Sequence, residues 1–260
     1  MQPLFCEAAV ITRYALRVRS FGLLLACLVL GLSALQAEDN AVTPGEVALT
    51  TPANASRAAQ ELRVQEQQRI LGVVPEFNIS NIHDAAPLNT GQKFQLALKS
   101  AIDPFSFVAA ALDAGIGQWD KDSPGYGYGM QGYGKRVQAA YLDAFDGALL
   151  GNAVFPSILH QDPRYFRQGT GGFGSRLMHA ALSTVRCKDD NGNADWNYSN
   201  LLGNLAAGAI ANSYYAPSER GTGLVFGRAL TVTTEGAVGA VFYEFWPDIS
   251  RKLFKKKSQS

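Results

Sequence analysis

The chain has 260 residues, with 23 Lys and Arg against 22 Asp and Glu, a formal charge of +1 and three cysteines. That balance excludes the basic footprint of a nucleic-acid binder, and the few cysteines exclude a disulfide scaffold. A chain of this size can bury one core without staples.

At the amino end Arg13, Arg17 and Arg19 precede an apolar run over residues 21–32, followed by small residues up to Ala37 and the acids Glu38 and Asp39. Positive charge before a short apolar core reads as a signal peptide over residues 1–37, cut after Ala37. A retained anchor and a lipoprotein signal at Cys27 are the alternatives. The run is shorter than the roughly 20 residues a spanning helix needs, and it continues past Cys27. Export to the periplasm or outer membrane is the expectation. Loss of this leader removes three Arg and one Glu, leaving 20 basic and 21 acidic residues. Cys187 is then the sole cysteine.

Residues 38–57 mix Thr, Pro, Ala and Asn without aromatics, too little apolar surface to offset the entropy of ordering, and read as a disordered spacer. Residues 58–68 hold good helix formers with a thin apolar stripe and read as a surface helix. Residues 69–254 are expected to form one helical domain, followed by a basic tail over residues 255–260. Within the domain an extended apolar segment covers residues 71–79. A helix with Thr90 as cap follows from Gly91, and Lys93, Phe94, Leu96, Ala97, Leu98 and Ala101 carry its apolar face. Asp103-Pro104 starts a second helix, running to about Gln118, because a carboxylate caps free amides while proline supplies helical φ.

Residues 123–134 alternate glycine and tyrosine and read as a loop. A mostly buried helix covers residues 135–155, ended or bent by Pro156, and Asp162-Pro163 repeats the acid-proline start. Another helix is expected around residues 173–185, then a hairpin about Asn191-Gly192. Ser199 caps a charge-free helix over residues 200–215, and the last helix runs from Thr222 to Trp246, closed by Pro247. The fold is mainly α, a compact bundle of five or six helices with Gly-rich loops. A small outer-membrane β-barrel is the alternative, weakened by the lack of sustained period-2 strands.

Glycines recur in spaced pairs: Gly147 and Gly151, Gly203 and Gly208, Gly223 and Gly227, Gly236 and Gly239. Such pairs let helices approach closely, in lipid or in a tight water-soluble bundle. Arg228, Thr231 and Glu235 share one face of the final helix. Arg228 and Glu235 are expected to meet Asp143, Asp146 or other polar groups on neighbouring helices. Trp246, with Lys255, Lys256 and Lys257 beyond it, places an aromatic beside a basic tail, the pairing that an anionic membrane interface attracts. A core-packed terminus with a solvated tail is the plainer reading.

Ionisable groups cluster in an enzyme-like manner at His160, Asp162 and Arg164, with His179 a candidate neighbour. Imidazole, carboxylate and guanidinium could bind and protonate a phosphate or an ester. No nucleophile elbow, phosphate loop or zinc spacing accompanies them, and capping by Asp162 with ion pairing by the arginine is the simpler role. Asp189, Asn191, Asn193 and Asp195 alternate oxygen ligands around Gly192, but a calcium loop needs its glycine sixth, and here it is fourth. No metal and no cofactor are expected.

Five segments, Arg69-Ile70-Leu71-Gly72-Val73-Val74-Pro75, Asp103-Pro104-Phe105, Gly132-Tyr133-Gly134-Lys135-Arg136, residues 160–166 (His-Gln-Asp-Pro-Arg-Tyr-Phe) and residues 244–249 (Glu-Phe-Trp-Pro-Asp-Ile), together resemble a group of exported bacterial proteins of unknown function. The resemblance spans residues 69–254 and implies an envelope location, with no activity and no residue role attached. The expectation is therefore an exported envelope protein with a structural or binding role, associated with a membrane surface or an envelope partner. An envelope hydrolase using His160, Asp162 and Arg164 on an ester or phosphate is the alternative.

Overall fold

A computed structural model describes residues 52–253. The expected signal peptide, most of the spacer and Lys255, Lys256 and Lys257 lie outside that range. Helix α1, Pro52–Gln65, opens within the segment read as spacer. Its inner face is buried: Leu62 joins Phe77, Leu88 and Leu96 in an apolar core. Beside them Glu61 accepts hydrogen bonds from Arg57 at 2.7 Å and the Ala86 amide at 2.8 Å.

The extended segment that follows folds into short pairs. β1 (Arg69–Ile70) and β2 (Val74–Pro75) form an antiparallel hairpin, turned through Leu71 and Gly72 at positive φ. β3 (Ile79–Ser80) runs parallel to β5 (Tyr165–Phe166), with Ile79 opposite Tyr165. Helix α2, Thr90–Ala101, is capped by Asn89 rather than Thr90: the Asn89 carboxamide accepts from the Gln92 amide, and the Gln92 side chain accepts from the Asn89 amide. That reciprocal box satisfies two amides which a threonine cap at 90 would leave open. Helix α3, Pro104–Trp119, starts as expected, with Asp103 accepting from the Phe105 amide.

Helix α4 covers Gly129–Leu149 and so begins inside the segment expected to be a loop. The glycines there serve close approach. A Cβ on Gly132 would lie 2.3 Å from the Gly127 carbonyl oxygen, and Arg136 gathers the carbonyls of Gly127, Asp122 and Ser123 at 2.6–3.0 Å. A π turn, Leu150–Val154, leads into the short α5, Phe155–Ile158, with Pro156 in its first turn.

Asp162-Pro163 starts no helix. β4 (Gln161–Asp162) and β5 flank it, because Asp162 pairs with Lys188 and Tyr165 with Ile79. The Asp162 carboxylate closes a tight turn by accepting from the Arg164 amide at 3.0 Å. After α6, Phe173–Leu182, the hairpin appears as β6 (Arg186–Asp189) and β7 (Ala194–Trp196), antiparallel, with β4 on the far edge of β6. At its tip Gly192 takes positive φ and Asp189 accepts the amides of Asn191 and Asn193, the polar turn expected of an Asn-Gly pair.

Helix α7, Tyr198–Tyr214, is capped by Asn197, whose side chain accepts from the Asn200 amide, and not by Ser199. Helix α8, Thr222–Leu253, passes through Pro247 instead of ending before it. An interior proline removes one helical hydrogen bond, and here both flanks are held: Trp246 packs with Ile70 and Val74, and Asp248 pairs with Arg176 at 2.6 Å.

Helices α3, α4, α7 and α8 pack in that order, and α6 lies along α8. Phe107 stacks on Tyr141 at 4.1 Å while the Tyr133 hydroxyl reaches the Ala111 carbonyl, so α3 and α4 are antiparallel. The Asp143–Tyr214 and Gly151–Gly203 meetings make α4 and α7 antiparallel as well. The protein is mainly α. The barrel alternative falls, because among the described residues the strands are two to four residues long and sit in three small separate sheets. Among the described residues no helix is long and apolar enough to cross a membrane.

Candidate functional site

The three residues first suspected of catalysis are placed by the turn around Pro163. Arg164 donates from Nε and Nη2 to the Asp162 carboxylate, at 3.0 and 2.7 Å, and from Nη2 to the Ala86 carbonyl at 2.8 Å. Both side chains are buried, and their polar capacity goes largely to each other and to the backbone. His160 sits on the surface with positive φ, its Nδ1 3.9 Å from a carboxylate oxygen of Asp190. That carboxylate is held by Lys93, whose Nζ donates to both oxygens at 2.7 and 2.8 Å. Lys93 thus lies on the inner face of α2 because Asp190 and the Pro156 carbonyl meet its ammonium there. His179 turns elsewhere, with Nε2 2.8 Å from the Phe166 carbonyl.

A second buried cluster links the motif around residues 160–169 with the end of α8. Glu244, fully buried, accepts from the Tyr165 hydroxyl at 2.6 Å, the Gln168 and Gly169 amides at 2.9 and 2.8 Å, and Arg176 Nε at 2.7 Å. Burial alone raises such a carboxyl, but Tyr165, Arg176 and the two amides outweigh it and hold Glu244 below its ordinary range. Arg176 also pairs with Asp248 and lies over the Phe245 ring at 4.6 Å. Trp246, expected at a membrane interface, is buried instead, its ring 5.4 Å from that of Phe242. The alternation of charge and aromatic in this segment therefore serves packing.

Among the described residues two cavities bring polar groups together. One, of about 500 Å³, lies among α3, α4, α7 and α8. Small residues such as Ala110, Ala144 and Gly208 make room, and Asp113, Asp143, Arg228 and Glu235 supply charge. Asp143 accepts from the Tyr214 hydroxyl at 2.6 Å and from that of Tyr215. Burial raises its carboxyl, and the two hydroxyls recover part of the shift. Arg228 meets Asp143 through Tyr215, lying 3.9 Å over that ring while donating to Asn212 and the Glu219 carbonyl.

The other cavity, of about 580 Å³, lies between the β6–β7 hairpin, β5, α6 and the middle of α8. Its charged lining residues are Arg164, Arg186 and Lys188, and no carboxylate is among its described lining residues. Lys188 Nζ donates to the His83 carbonyl and stands 4.0 Å from the centre of the Phe166 ring. Burial, with Arg164 adding repulsion, lowers the Lys188 ammonium. Cys187 shares the wall, and burial with nearby Asp195 pushes its thiol up to about 12, which makes it unreactive at neutral pH.

Sequence reasoning singled out Arg228, Glu235, Asp143 and Arg164. It missed Lys93, Lys188 and Glu244 as interior charges, because a charged side chain carries no sequence mark of its burial. Lys93 alone left a trace, lying on an otherwise apolar helix face. Among the described residues no group of His, Cys, Asp and Glu could hold a metal ion. No protein-family model matches the chain, and no curated protein or solved structure does so either.

Proposed function

We propose that this is an exported envelope protein with a binding role that works against a membrane surface. One observation carries the reading: along α6, α7 and α8 several charged and polar side chains face inward while several large apolar side chains face outward. Arg176, Asn204, Arg228 and Glu244 are buried, whereas Phe173, Met178, Leu202, Phe226 and Leu230 are exposed, Phe173 to 69% and Leu230 to 62%. Exposed apolar surface on this scale marks an interaction face, and lipid is the neighbour beside which inward polar groups and outward apolar ones are the favourable arrangement.

The close Gly151–Gly203 approach, where a Cβ on Gly203 would lie 2.7 Å from Gly151 Cα, suits helices that meet by backbone contact. Arg251 and Lys252, exposed at the end of α8 beside Ile249 and Leu253, add the charge that anionic headgroups attract. The arginines and apolar run at the amino end support export, and adsorption or partial insertion is the form of contact proposed.

Cell fractionation followed by salt, alkaline carbonate and detergent washes tests the reading. Retention through the salt wash and release by carbonate or detergent is the expected result. Recovery of all the protein in the soluble fraction would end it.

A further inference from the structure

Between α4 and the end of α7 a group of tyrosines and carboxyls holds more acceptors than its hydroxyl protons can serve. The Tyr214 hydroxyl stands 2.6 Å from Asp143 Oδ1 and 3.2 Å from Asp146 Oδ2, so two carboxyls on α4 converge on one phenol oxygen. A phenol has a single proton to give. The shorter contact takes it, which leaves Asp146 Oδ2 facing the lone pairs of the Tyr214 oxygen. Two acceptors in such contact repel, unless a proton on Asp146 turns its carboxyl into the donor. Asp143 needs no proton of its own, because Tyr215 donates to its other oxygen.

The surroundings favour a proton at this place. The titratable and charged groups around the two carboxyls are Asp113 from α3, Tyr214 and Tyr215 from α7 and Arg228 from α8, with Tyr126 beside Tyr215. Arg228, the only cation among these groups, donates to Asn212 and the Glu219 carbonyl and to neither carboxyl. The π turn that continues α4 brings no ionisable side chain, and the lysines of α2 are paired elsewhere, Lys93 with Asp190 and Lys99 with Glu66. Two carboxylates one helical turn apart repel. Burial raises both carboxyls. A hydrogen bond from Tyr214 would pull Asp146 back down, but Asp143 takes that proton.

We propose that Asp146, Tyr214 and Asp143 form a proton-operated clasp between α4 and α7. With a proton on Asp146 the hydrogen bonds run in one direction, from Asp146 to Tyr214 to Asp143, and the last turn of α7 is fastened. Loss of that proton sets Asp146 against the Tyr214 oxygen and loosens the turn. Asp143 and Tyr215 line the cavity among α3, α4, α7 and α8, so the clasp steadies one wall of that cavity in acid and frees it as the pH rises. The folded Asp146 carboxyl lies above its unfolded value of about 3.9, so the contribution of the clasp is complete below that value and is lost as the pH rises through the folded one.

Carboxyl-carbon NMR of the full chain reads the clasp directly. Asp146 is expected to titrate above the ordinary aspartate value of about 3.9. Tyr214→Phe removes the acceptor and is expected to bring that titration down, whereas a Tyr214 that donated to Asp146 would make the same variant raise it. Asp146→Asn sets an amide donor where the protonated carboxyl stands. Its melting temperature is expected to exceed that of the wild type by roughly 2–4 °C at about pH 8 and to converge with it toward about pH 4. Opening of the last turn of α7, followed by hydrogen exchange corrected for intrinsic rate, is expected to be severalfold more frequent at about pH 8 than at about pH 5 in the wild type, and alike at both in Asp146→Asn. An Asp146 titration at or below about 3.9, a rise of that titration in Tyr214→Phe, or a melting-temperature difference between Asp146→Asn and the wild type that does not change with pH would overturn the proposal. So would exchange at the α7 end that is the same at both pH values in the wild type.

Discussion

Around α1 and α2 Leu62, Phe77, Leu88 and Leu96 meet in an apolar core, whereas along α6 and α8 Arg176, Arg228 and Glu244 are among the residues turned inward, and Phe173, Met178, Phe226 and Leu230 face out. Water drives the first arrangement by expelling apolar surface. It opposes the second on both counts, through the desolvation of interior charges and the exposure of apolar side chains. The contrast teaches that the second region is held by specific pairing, and that its outer face leaves large apolar side chains uncovered, the feature on which the proposed membrane contact rests.

The largest expected effect is on that pairing. Glu244→Gln removes the charge that meets Arg176 and sets an amide group against a site filled by donors from Tyr165, Gln168, Gly169 and Arg176. Breaking a buried pair in this way costs about 3–5 kcal/mol, measurable by urea unfolding. A loss below about 1 kcal/mol would mean that interior charge does not hold α6 to α8. The pH dependence carries the same information. The folded Glu244 carboxyl is held below its ordinary value, so its contribution is present above the unfolded pKa of about 4.3 and is lost as the pH falls through the folded value. The wild-type chain is expected to lose stability over that acid range, and the Gln variant to show a flatter profile.

The apolar core predicts a smaller loss without the pH signature. Leu96 is fully buried among Leu62, Phe77 and Leu88, and Leu96→Ala is expected to cost about 3 kcal/mol from lost burial and the cavity left behind. Equal pH dependence in this variant and in Glu244→Gln would erase the distinction between the two regions. The close helix crossing ranks next. Gly203→Ala sets a methyl group 2.7 Å from Gly151 Cα, so the backbones must part, at about 1–3 kcal/mol. A Gly239→Ala control, in open space, is expected to be neutral or stabilising.

Much of the helical layout is legible in the sequence, since caps and apolar spacing are local. Asp103-Pro104 marks a helix start, Asn191-Gly192 a hairpin tip, and Gly151 and Gly203, members of two different spaced pairs, meet where helices approach closely. Local signals fail where a distant partner decides. Asp162-Pro163 looks like Asp103-Pro104, yet pairing of the flanking residues with Lys188 and Ile79 makes strands of them. Pro247 looks like a stop, yet the contacts of Trp246 and Asp248 carry the helix past it. The site is less legible than the fold. His160, Asp162 and Arg164 stand close in sequence, but the fold buries Asp162 and Arg164 against each other and leaves His160 on the surface beside Asp190, which no local signal decides.

The smallest effect on stability carries the most information about the outer face. Leu177 and Met178 lie exposed on α6, while their neighbours Arg176 and Ala180 are buried. Replacing both with Gln keeps good helix formers and leaves the Arg176–Glu244 pairing untouched. Unfolding in water is therefore expected to change by no more than about 0.5 kcal/mol. Binding to vesicles containing phosphatidylglycerol is expected to fall severalfold, because two apolar side chains no longer enter the lipid boundary. Unchanged vesicle binding would assign the apolar face of α6 to some other neighbour, and a large loss of stability would mean that this face already packs against the protein's own chain. Only a fall in membrane binding at constant stability separates a surface shaped for lipid from one that merely tolerates water.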